Sequence, residues 1–192
     1  MVPTNDESDD HCARFFRWGE RIIWPNVYLA PMAGATDLPF RRLVRELSGN
    51  RMGVTVSEFV SARAIVNSRK RELRGMRFAE EERPFCMQLF GGEPSTIAEA
   101  ARIVEGLGVD FIEINAGCPV SKMVRKGGGA QLMRDLPRLR SVVKACREAI
   151  SIPLSLKVRV GWSDQEKNFL ESLKIAEGEG CALFVLHGRT RE

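Results

Sequence analysis

Cysteine is scarce in this sequence, and the cysteines are far apart. There are five among 192 residues, an odd number, and no two of them form a CxxC pair. This spacing argues against a disulfide framework and against a zinc site, so we expect free thiols, no bound metal and a reducing cytoplasm as the compartment. The cysteines are Cys12, Cys86, Cys118, Cys146 and Cys181.

Long hydrophobic runs are also missing. No stretch approaches the ~18 consecutive apolar residues that a membrane-spanning helix needs. The acidic N-terminus, residues 1–10, lacks the apolar segment of a signal peptide. We therefore expect a protein that is neither exported nor embedded in a membrane. With 44% hydrophobic and 28% charged residues, the composition is that of a globular protein with a buried core, which excludes disordered and fibrous classes.

The net charge of +4 is modest, but the basic residues are clustered. One cluster lies between residues 69 and 77, and a second consists of Lys122, Arg125 and Lys126. Most clusters of this kind are simply solvated surface, whereas some of them bind phosphate groups. The charge pattern alone does not decide between these two interpretations.

From residue 27 onward, short strand-like apolar runs alternate with amphipathic helical runs. Each parallel crossover needs a dozen or more residues, so this alternation predicts a parallel sheet covered by helices. Residues 1–26 form an extension of unknown role, and no linker or second domain is visible after it. The predicted strands cover residues 27–32, 52–59, 84–90, 110–115, 153–158 and 182–187. The predicted helices cover about 37–47, 94–107, 137–149 and 164–177, with a basic, partly helical stretch after the second strand.

Polar or special residues stand at the C-terminal ends of nearly all the predicted strands. In a (β/α)8 barrel (TIM barrel) these ends meet at one mouth, where the fold assembles its sites, so we favour a barrel over a doubly wound sheet. A complete barrel has eight strands in ~250 residues. Six are visible here, which predicts an α/β barrel truncated after about the sixth strand. The strand-end residues are Pro31, Met32, Ala33, Glu58, Gln88, Asn115, Cys118, Lys157 and His187.

Cys118 is the first candidate for a reactive group. It lies on a Gly/Pro turn directly after the predicted strand 110–115. A free cysteine is often only a small buried hydrophobic residue, but Gly117 and Pro119 beside it favour a thiol that is presented at a strand end. With an ordinary pKa of ~8.5, a thiol is protonated at neutral pH and can act as a general acid. A nucleophile would need a lowered pKa and a nearby base, which the sequence does not reveal.

Several motifs together resemble the tRNA-dihydrouridine synthases, flavin-dependent enzymes that reduce uridine in tRNA. The resemblance covers about residues 27–192, and the motifs follow one another in the order found in that family. The first 26 residues match nothing in the family, and Phe59 stands where a methionine often follows the strand-two glutamate. The motifs are LAPMAGATD (29–37), PFR (39–41), NAGCP (115–119), GGGAQL (127–132), KVRVG (157–161) and HGRTR (187–191).

The resemblance implies a reaction and a cofactor. Oxidised FMN would be reduced by NADPH and would deliver hydride to carbon 6 of a uracil ring, while Cys118 protonates carbon 5. The flavin would rest on the backbone of residues 31–33, would contact the side chains of Gln88 and His187, and would have Lys157 as the cation beside its ring. A core hydrogen bond is the alternative role for Gln88. The implied flavin contacts are Pro31, Met32, Ala33, Gln88, Lys157 and His187.

The resemblance also implies tRNA as the partner. The target base must leave its stack to reach the ring, and Lys122, Arg125 and Lys126 would meet tRNA phosphates. The Asn115 amide would bind the uracil edge or would instead pin its own turn. The glycine run at 127–129 fits neither GxGxxG nor a P-loop, and a simple loop is an equal explanation for it.

Two alternatives stay open at this point. The chain is a non-catalytic, truncated fragment of such an enzyme, or it is another FMN barrel such as a dihydroorotate dehydrogenase, although the cysteine turn and HGRTR disfavour the latter. Six strands leave two unpaired edges, and the loops that often hold phosphate follow strands seven and eight. We therefore expect the 192 residues alone to bind flavin weakly and to associate.

Overall fold

The computed structural model describes residues 15–49, 51–67, 75–125 and 127–192. Within these ranges the chain forms one main sheet with the strand order β3-β4-β6-β7-β8-β9, and β5 pairs with the end of β6. All of these pairings are parallel. The strands are β3 (Tyr28–Leu29), β4 (Val54–Val56), β5 (Val60–Ser61), β6 (Phe85–Phe90), β7 (Phe111–Asn115), β8 (Leu154–Arg159) and β9 (Leu183–His187).

The strand order confirms a partial barrel and not a doubly wound sheet. The strands follow one another in chain order without the reversal that a doubly wound sheet requires. The sheet also curls. Tyr28 on β3 is three strands away from Glu113 on β7, ~14 Å in a flat sheet, yet its hydroxyl lies 2.9 Å from the Glu113 carboxylate. The two side chains meet because the sheet bends around them.

Helices cover the outer face of this sheet. Two of them begin as the sequence predicts, because Asp37 and Asp135 accept hydrogen bonds from the backbone N–H groups of Phe40 and Arg138 at 3.0 Å. A 3-10 turn covers Glu80–Glu82. The helices are α1 (Leu38–Leu47), α2 (Ala62–Val66), α3 (Pro94–Gly106), α4 (Ser121–Val124), α5 (Gln131–Arg134), α6 (Leu136–Ala149) and α7 (Phe169–Gly178).

The predictions differ from the structure in three elements. The strand predicted over 27–32 is only the two residues of β3, and the strand predicted over 52–59 is only β4, with β5 as a separate strand just after that range. The helix predicted from residue 164 begins only at Phe169, because Gly161 and Lys167 pair as an antiparallel bridge and the residues between them form a loop. A Cβ at Gly161 would lie 2.0 Å from the Glu166 carbonyl oxygen, so this close approach requires glycine.

A hairpin precedes the first predicted strand. It consists of β1 (Phe16–Trp18) and β2 (Arg21–Ile23), paired antiparallel. Trp18 is fully buried and stacks on Phe111 at the start of β7, with 4.1 Å between the ring centroids. Strands of three residues are too short to show an alternating pattern, so the sequence gives no signal for this hairpin. It covers the N-terminal end of the sheet, opposite the predicted mouth.

The main core lies between the sheet and the helices. Its largest cluster of buried apolar side chains includes Ile97 and Val104 of α3, Leu139 and Val143 of α6, and Ile114 of β7. At ~25 cal/mol per Å² of apolar surface removed from water, this layer supplies most of the stabilisation of the fold. The edges of the described sheet are β3 and β9. That such edges promote association stays a prediction.

Candidate active site

A cleft of about 420 Å³ opens at the C-terminal ends of the strands. Its wall brings together Cys118, Asn115 and all of the flavin contacts that the resemblance implies. These residues are up to 157 positions apart in the sequence, from Ala30 to His187. The lining residues are Ala30, Pro31, Met32, Ala33, Phe59, Gln88, Asn115, Gly117, Cys118, Pro119, Val120, Lys157, Val158, Arg159 and His187.

The turn that carries Cys118 is held by a side chain of the preceding strand. The Asn115 Oδ1 atom accepts hydrogen bonds from the backbone N–H groups of Gly117 at 3.1 Å and Cys118 at 2.8 Å. The Cys118 carbonyl accepts from the Ala130 N–H at 3.1 Å. The cysteine is only 9% exposed and lines the cleft. The thiol is therefore presented from a fixed backbone and is itself largely shielded from solvent.

The glycine run supports this turn. A Cβ at Gly129 would lie 2.8 Å from the Cys118 carbonyl oxygen and 3.0 Å from the Cys118 Cβ atom. Gly129 also has a positive φ of 59°, which L-residues with side chains rarely adopt. The sequence left a simple loop as an equal explanation for this run. In the structure, Gly129 allows the loop to approach the back of the cysteine turn.

Arg159 is a site residue that the sequence analysis quoted in a motif without giving it a role. It ends β8, and its Nε atom donates to the Gly117 carbonyl at 2.7 Å. Its Nη1 atom donates to the Thr190 carbonyl at 2.8 Å. Burial lowers the pKa of Arg159, and the neighbouring Cys118 opposes that shift. The guanidinium thus ties the cysteine turn to the HGRTR segment at the edge of the cleft.

Below the mouth lies a buried carboxylate that the sequence analysis did not select. Glu113 is fully buried in the middle of β7. It accepts hydrogen bonds from Gln88 Nε2 at 2.7 Å, from the Tyr28 hydroxyl at 2.9 Å and from the Ser155 hydroxyl at 3.3 Å. Burial raises the pKa of Glu113, while these hydrogen bonds and the charge of Lys157 lower it. A charged residue inside the apolar run Phe-Ile-Glu-Ile is a signal that could have revealed it.

Gln88 uses both ends of its amide within the protein. Its Nε2 atom donates to Glu113, and its Oε1 atom accepts from Asn115 Nδ2 at 2.8 Å. The side chain is 1% exposed but still reaches the cleft wall. The alternative role of Gln88, a core hydrogen bond, is therefore present, and so is that of Asn115, which holds its own turn. Contacts of these two amides with flavin or uracil stay predictions.

Lys157 lies on β8 next to Asn115 in the parallel register. Burial lowers the pKa of its ammonium; the charge of Glu113 opposes this shift and that of Arg159 adds to it. The part of the chain that the structure describes offers Lys157 no hydrogen bond or ion pair of its own. A half-buried cation without a direct partner is costly in isolation and suits an anionic ligand.

His187 ends β9 opposite Arg159 in the register. Burial lowers the pKa of its imidazole, and the charges of Arg159, Lys157 and Arg189 lower it further. The imidazole is therefore neutral at neutral pH. Two of these cations, Lys157 and Arg159, line the cleft and create a positive potential there, which attracts negatively charged ligands.

The predicted flavin cradle, residues 31–33, is held from behind. The Thr36 hydroxyl exchanges hydrogen bonds with the backbone of Met32, accepting from its N–H at 3.0 Å and donating to its carbonyl at 3.1 Å. Arg41, paired with the buried Glu82, donates to the Thr36 carbonyl at 2.8 Å. Glu58, a strand-end residue without a predicted role, accepts a hydrogen bond from the Gly34 N–H. This segment is therefore fixed although Met32 itself is exposed.

Comparison with known proteins decides the family. The model of the dihydrouridine synthase (Dus) family matches residues 28–192. The chain belongs to this family. A probable tRNA-dihydrouridine synthase of Rickettsia conorii is 42% identical over 167 residues, 86% of this chain and 50% of the relative. A tRNA-dihydrouridine synthase B of Pseudomonas aeruginosa is 41% identical over 176 residues, 91% of this chain and 52% of the relative. The chain thus spans about half the length of the curated relatives it matches.

Only some of the tRNA contacts predicted for this member of the Dus family lie among the described residues. Arg125 follows α4, is exposed and does not line the cleft, and Lys122 belongs to α4. Lys126 lies outside the described residues, as do residues 69–71 and Arg74 of the other basic cluster. Contacts of Lys122, Arg125 and Lys126 with phosphates therefore stay predictions.

Three further observations concern the described residues only. Four cysteines are free thiols there: Cys86, Cys118, Cys146 and Cys181. No group of three or more metal-binding side chains is found in those ranges. None of the helices that the structure describes is long and apolar enough to cross a membrane.

Proposed function

We propose that this chain carries the catalytic cleft of an FMN-dependent tRNA-dihydrouridine synthase, which reduces uridine in tRNA to 5,6-dihydrouridine with NADPH. The observation that supports it most is the juxtaposition of Cys118 and Lys157 in one cleft. A thiol in a fixed turn and an ammonium without a direct partner among the described residues line the same cleft. Family membership supports the reaction class. Cys118 fits the proton donor of that reaction, and Lys157 fits the cation beside the flavin.

The residues of the cleft fit a flavin. Its volume of about 420 Å³ lies in the usual range for such sites, ~300–1,000 Å³. The exposed backbone of residues 31–33 and the apolar side chains of Met32 and Phe59 offer a surface for a flat ring. Lys157 stabilises the negative charge that a reduced flavin carries on its pyrimidine edge, and Gln88 and His187 contact the same ring. FMN, once reduced by NADPH, supplies the hydride for carbon 6 of the uracil.

Cys118 supplies the proton. The thiol donates it to carbon 5 of the uracil, and solvent later restores it, so that one hydride and one proton are added across the double bond. Asn115 keeps Cys118 in place and offers its amide edge to the base. The neutral imidazole of His187 leaves Lys157 and Arg159 as the cations beside the reacting groups. A thiol in this role needs no base beside it.

The tRNA is held outside the cleft. The target uridine leaves its stack and enters the cleft, while Lys122, Arg125 and Lys126 after the cysteine turn bind phosphates. The proposal places the enzyme in the cytoplasm, where its free thiols stay reduced. It does not include a dihydroorotate dehydrogenase activity, because the family model that matches residues 28–192 is that of the dihydrouridine synthases.

The test is direct. Purified protein is incubated with FMN, NADPH and unmodified tRNA transcripts, and nucleosides from the digested tRNA are quantified by mass spectrometry. The proposal predicts FMN-dependent and NADPH-dependent formation of dihydrouridine. Bound flavin without dihydrouridine, or no flavin binding at all, contradicts it and favours a non-catalytic chain.

A further inference from the structure

The proposed reaction gives Glu113 no step, although its carboxylate is fully buried directly below the cleft. Burying a charge is costly unless its hydrogen bonds are satisfied. Here three side chains donate to it: the Gln88 amide, the Tyr28 hydroxyl and the Ser155 hydroxyl. The surroundings are therefore built to hold an acceptor at this position.

A carboxylate that only accepts hydrogen bonds fixes the orientation of its neighbours. Gln88 must turn its Nε2 atom toward Glu113 at 2.7 Å, which leaves its Oε1 atom on the far side. That oxygen accepts from Asn115 Nδ2 at 2.8 Å. Asn115 must then direct its Oδ1 atom to the turn, where it accepts from the Cys118 N–H at 2.8 Å. A flipped amide at either step would place donor against donor or acceptor against acceptor.

We propose that Glu113 is a positioning residue, which fixes the turn that presents Cys118 by setting the orientation of Gln88 and, through it, that of Asn115. The four residues lie on two neighbouring strands, β6 and β7, and on the turn that follows β7, and they are linked by hydrogen bonds of 2.7 to 2.8 Å. We call this series the Glu113 relay. Its consequence for catalysis rests on the proposed function, but its structural content does not.

Another role of Glu113 would be only electrostatic, as the negative charge that acts on Lys157. Two substitutions separate these roles. Glu113→Gln removes the charge, yet its amide oxygen still accepts from Gln88, and its NH2 group donates to the hydroxyls of Tyr28 and Ser155, which can turn to accept. Glu113→Leu removes both the charge and the acceptor. The relay predicts that Gln rescues what Leu loses.

The measurement is amide hydrogen exchange in the full chain without ligands, followed residue by residue by NMR. The Cys118 N–H is held by the Asn115 side chain, whereas the Ala116 N–H is held at 2.8 Å by the backbone carbonyl of Lys157. Ala116 is therefore an internal reference two residues away that does not depend on the relay. The ratio of protection factors, Cys118 over Ala116, reports the relay alone.

We expect Glu113→Leu to lower this ratio about tenfold, the loss of roughly one hydrogen bond, and Glu113→Gln to leave it within about threefold of wild type. If Glu113→Leu does not fold, Gln88→Leu breaks the next link while Glu113 stays, and the same fall is expected. An unchanged ratio in the Leu variant, an equal fall in both Glu113 variants, or equal loss at Ala116 and Cys118 overturns the proposal.

Catalysis provides a second measurement. In dihydrouridine formation, Glu113→Leu is expected to lower kcat at least about tenfold with little change in the KM for tRNA, and Glu113→Gln to keep most of kcat. An equal fall of kcat in Glu113→Leu and Glu113→Gln contradicts the proposal that the Glu113 relay positions Cys118. If wild-type protein forms no dihydrouridine, the proposed function fails, whereas the exchange ratio still decides the relay.

Discussion

The two ends of the sheet differ in whether their buried charged side chains have partners within the protein. At the N-terminal end, Asp110 is buried and accepts from Arg21 at 2.7 Å, from Arg83 at 2.9 Å and from the Phe85 N–H at 2.8 Å. At the C-terminal end, Lys157 lines an open cleft without a direct protein partner among the described residues, and burial lowers its pKa. At the N-terminal end, the charge of Asp110 is neutralised by neighbouring arginines. At the C-terminal end, the ammonium of Lys157 faces a cavity.

This difference separates stability from function. The hairpin β1–β2 covers the N-terminal end, and its tryptophan fills the space above Phe111. No described element fills the C-terminal end in this way, and the strand ends there surround the cleft. Substitutions at the covered end should therefore lower the free energy of unfolding, whereas substitutions at the open end should weaken ligand binding and leave stability nearly unchanged.

The largest expected effect on stability is at Trp18. Trp18→Ala removes a fully buried ring that stacks on Phe111, and it should lower the free energy of unfolding by about 3–5 kcal/mol. Urea denaturation followed by circular dichroism measures this. Trp24, which is 52% exposed, is the matched control, and Trp24→Ala should change stability by less than about 1 kcal/mol. Equal losses in the two variants would show that the hairpin does not seal the sheet.

At the open end, Lys157→Met should have the reverse pattern. Removal of the ammonium should weaken FMN binding by about 1–3 kcal/mol, because the flavin loses its charged partner. The free energy of unfolding should stay the same or rise, since a desolvated cation is gone. Fluorescence titration of FMN and urea denaturation measure the two quantities. Lys144→Met, on the exposed surface of α6, is the control. Wild-type affinity in Lys157→Met would remove Lys157 from the flavin site.

The smallest effect concerns pH. The pKa of His187 lies below its ordinary value of 6.5, first because of burial and then because of nearby cations. As pH falls, the unfolded chain therefore binds this proton first, so the stability contribution of neutral His187 is present above about pH 6.5 and is lost as pH falls through the folded pKa. NMR titration, with His187→Gln to assign the signal, should give a pKa below 6.5 that rises in Lys157→Met. A wild-type pKa of His187 at or above 6.5 would contradict a positive potential at the cleft.

Much of the fold could be predicted because each parallel strand leaves a buried apolar run. The runs at 84–90, 110–115, 153–158 and 182–187 match strands β6 to β9 within a residue or two. The cap Asp37 marks a helix start by the same local logic. The loop at 160–168 and the hairpin at 16–23 lack such runs. Their conformations depend on contacts with residues further along the chain, such as Trp18 with Phe111 and the Val160 N–H with the Arg189 carbonyl.

The candidate site was predictable where a polar residue stands at or near a strand end. Asn115 and His187 end their strands, Gln88 and Lys157 lie two residues before the ends of theirs, and all four line the cleft. Glu113 lies beside Gln88 in the register, and what makes it important is a set of partners on three other strands. Arg159 acts through backbone carbonyls that a motif does not reveal. A position near a strand end can be recognised from the local sequence, whereas the hydrogen bonds of Glu113 and Arg159 depend on the tertiary structure.

The central claim is that Cys118 is the proton donor of a flavin-dependent reduction. Its most direct test compares Cys118→Ala with Cys181→Ala, a control at a free thiol that does not line the cleft. Flavin binding and flavin reduction by NADPH are followed by absorbance, and dihydrouridine in tRNA by mass spectrometry. We predict normal flavin binding and reduction in both variants, with dihydrouridine formation about 10²- to 10⁴-fold slower in Cys118→Ala alone. Wild-type product formation by Cys118→Ala would contradict the claim.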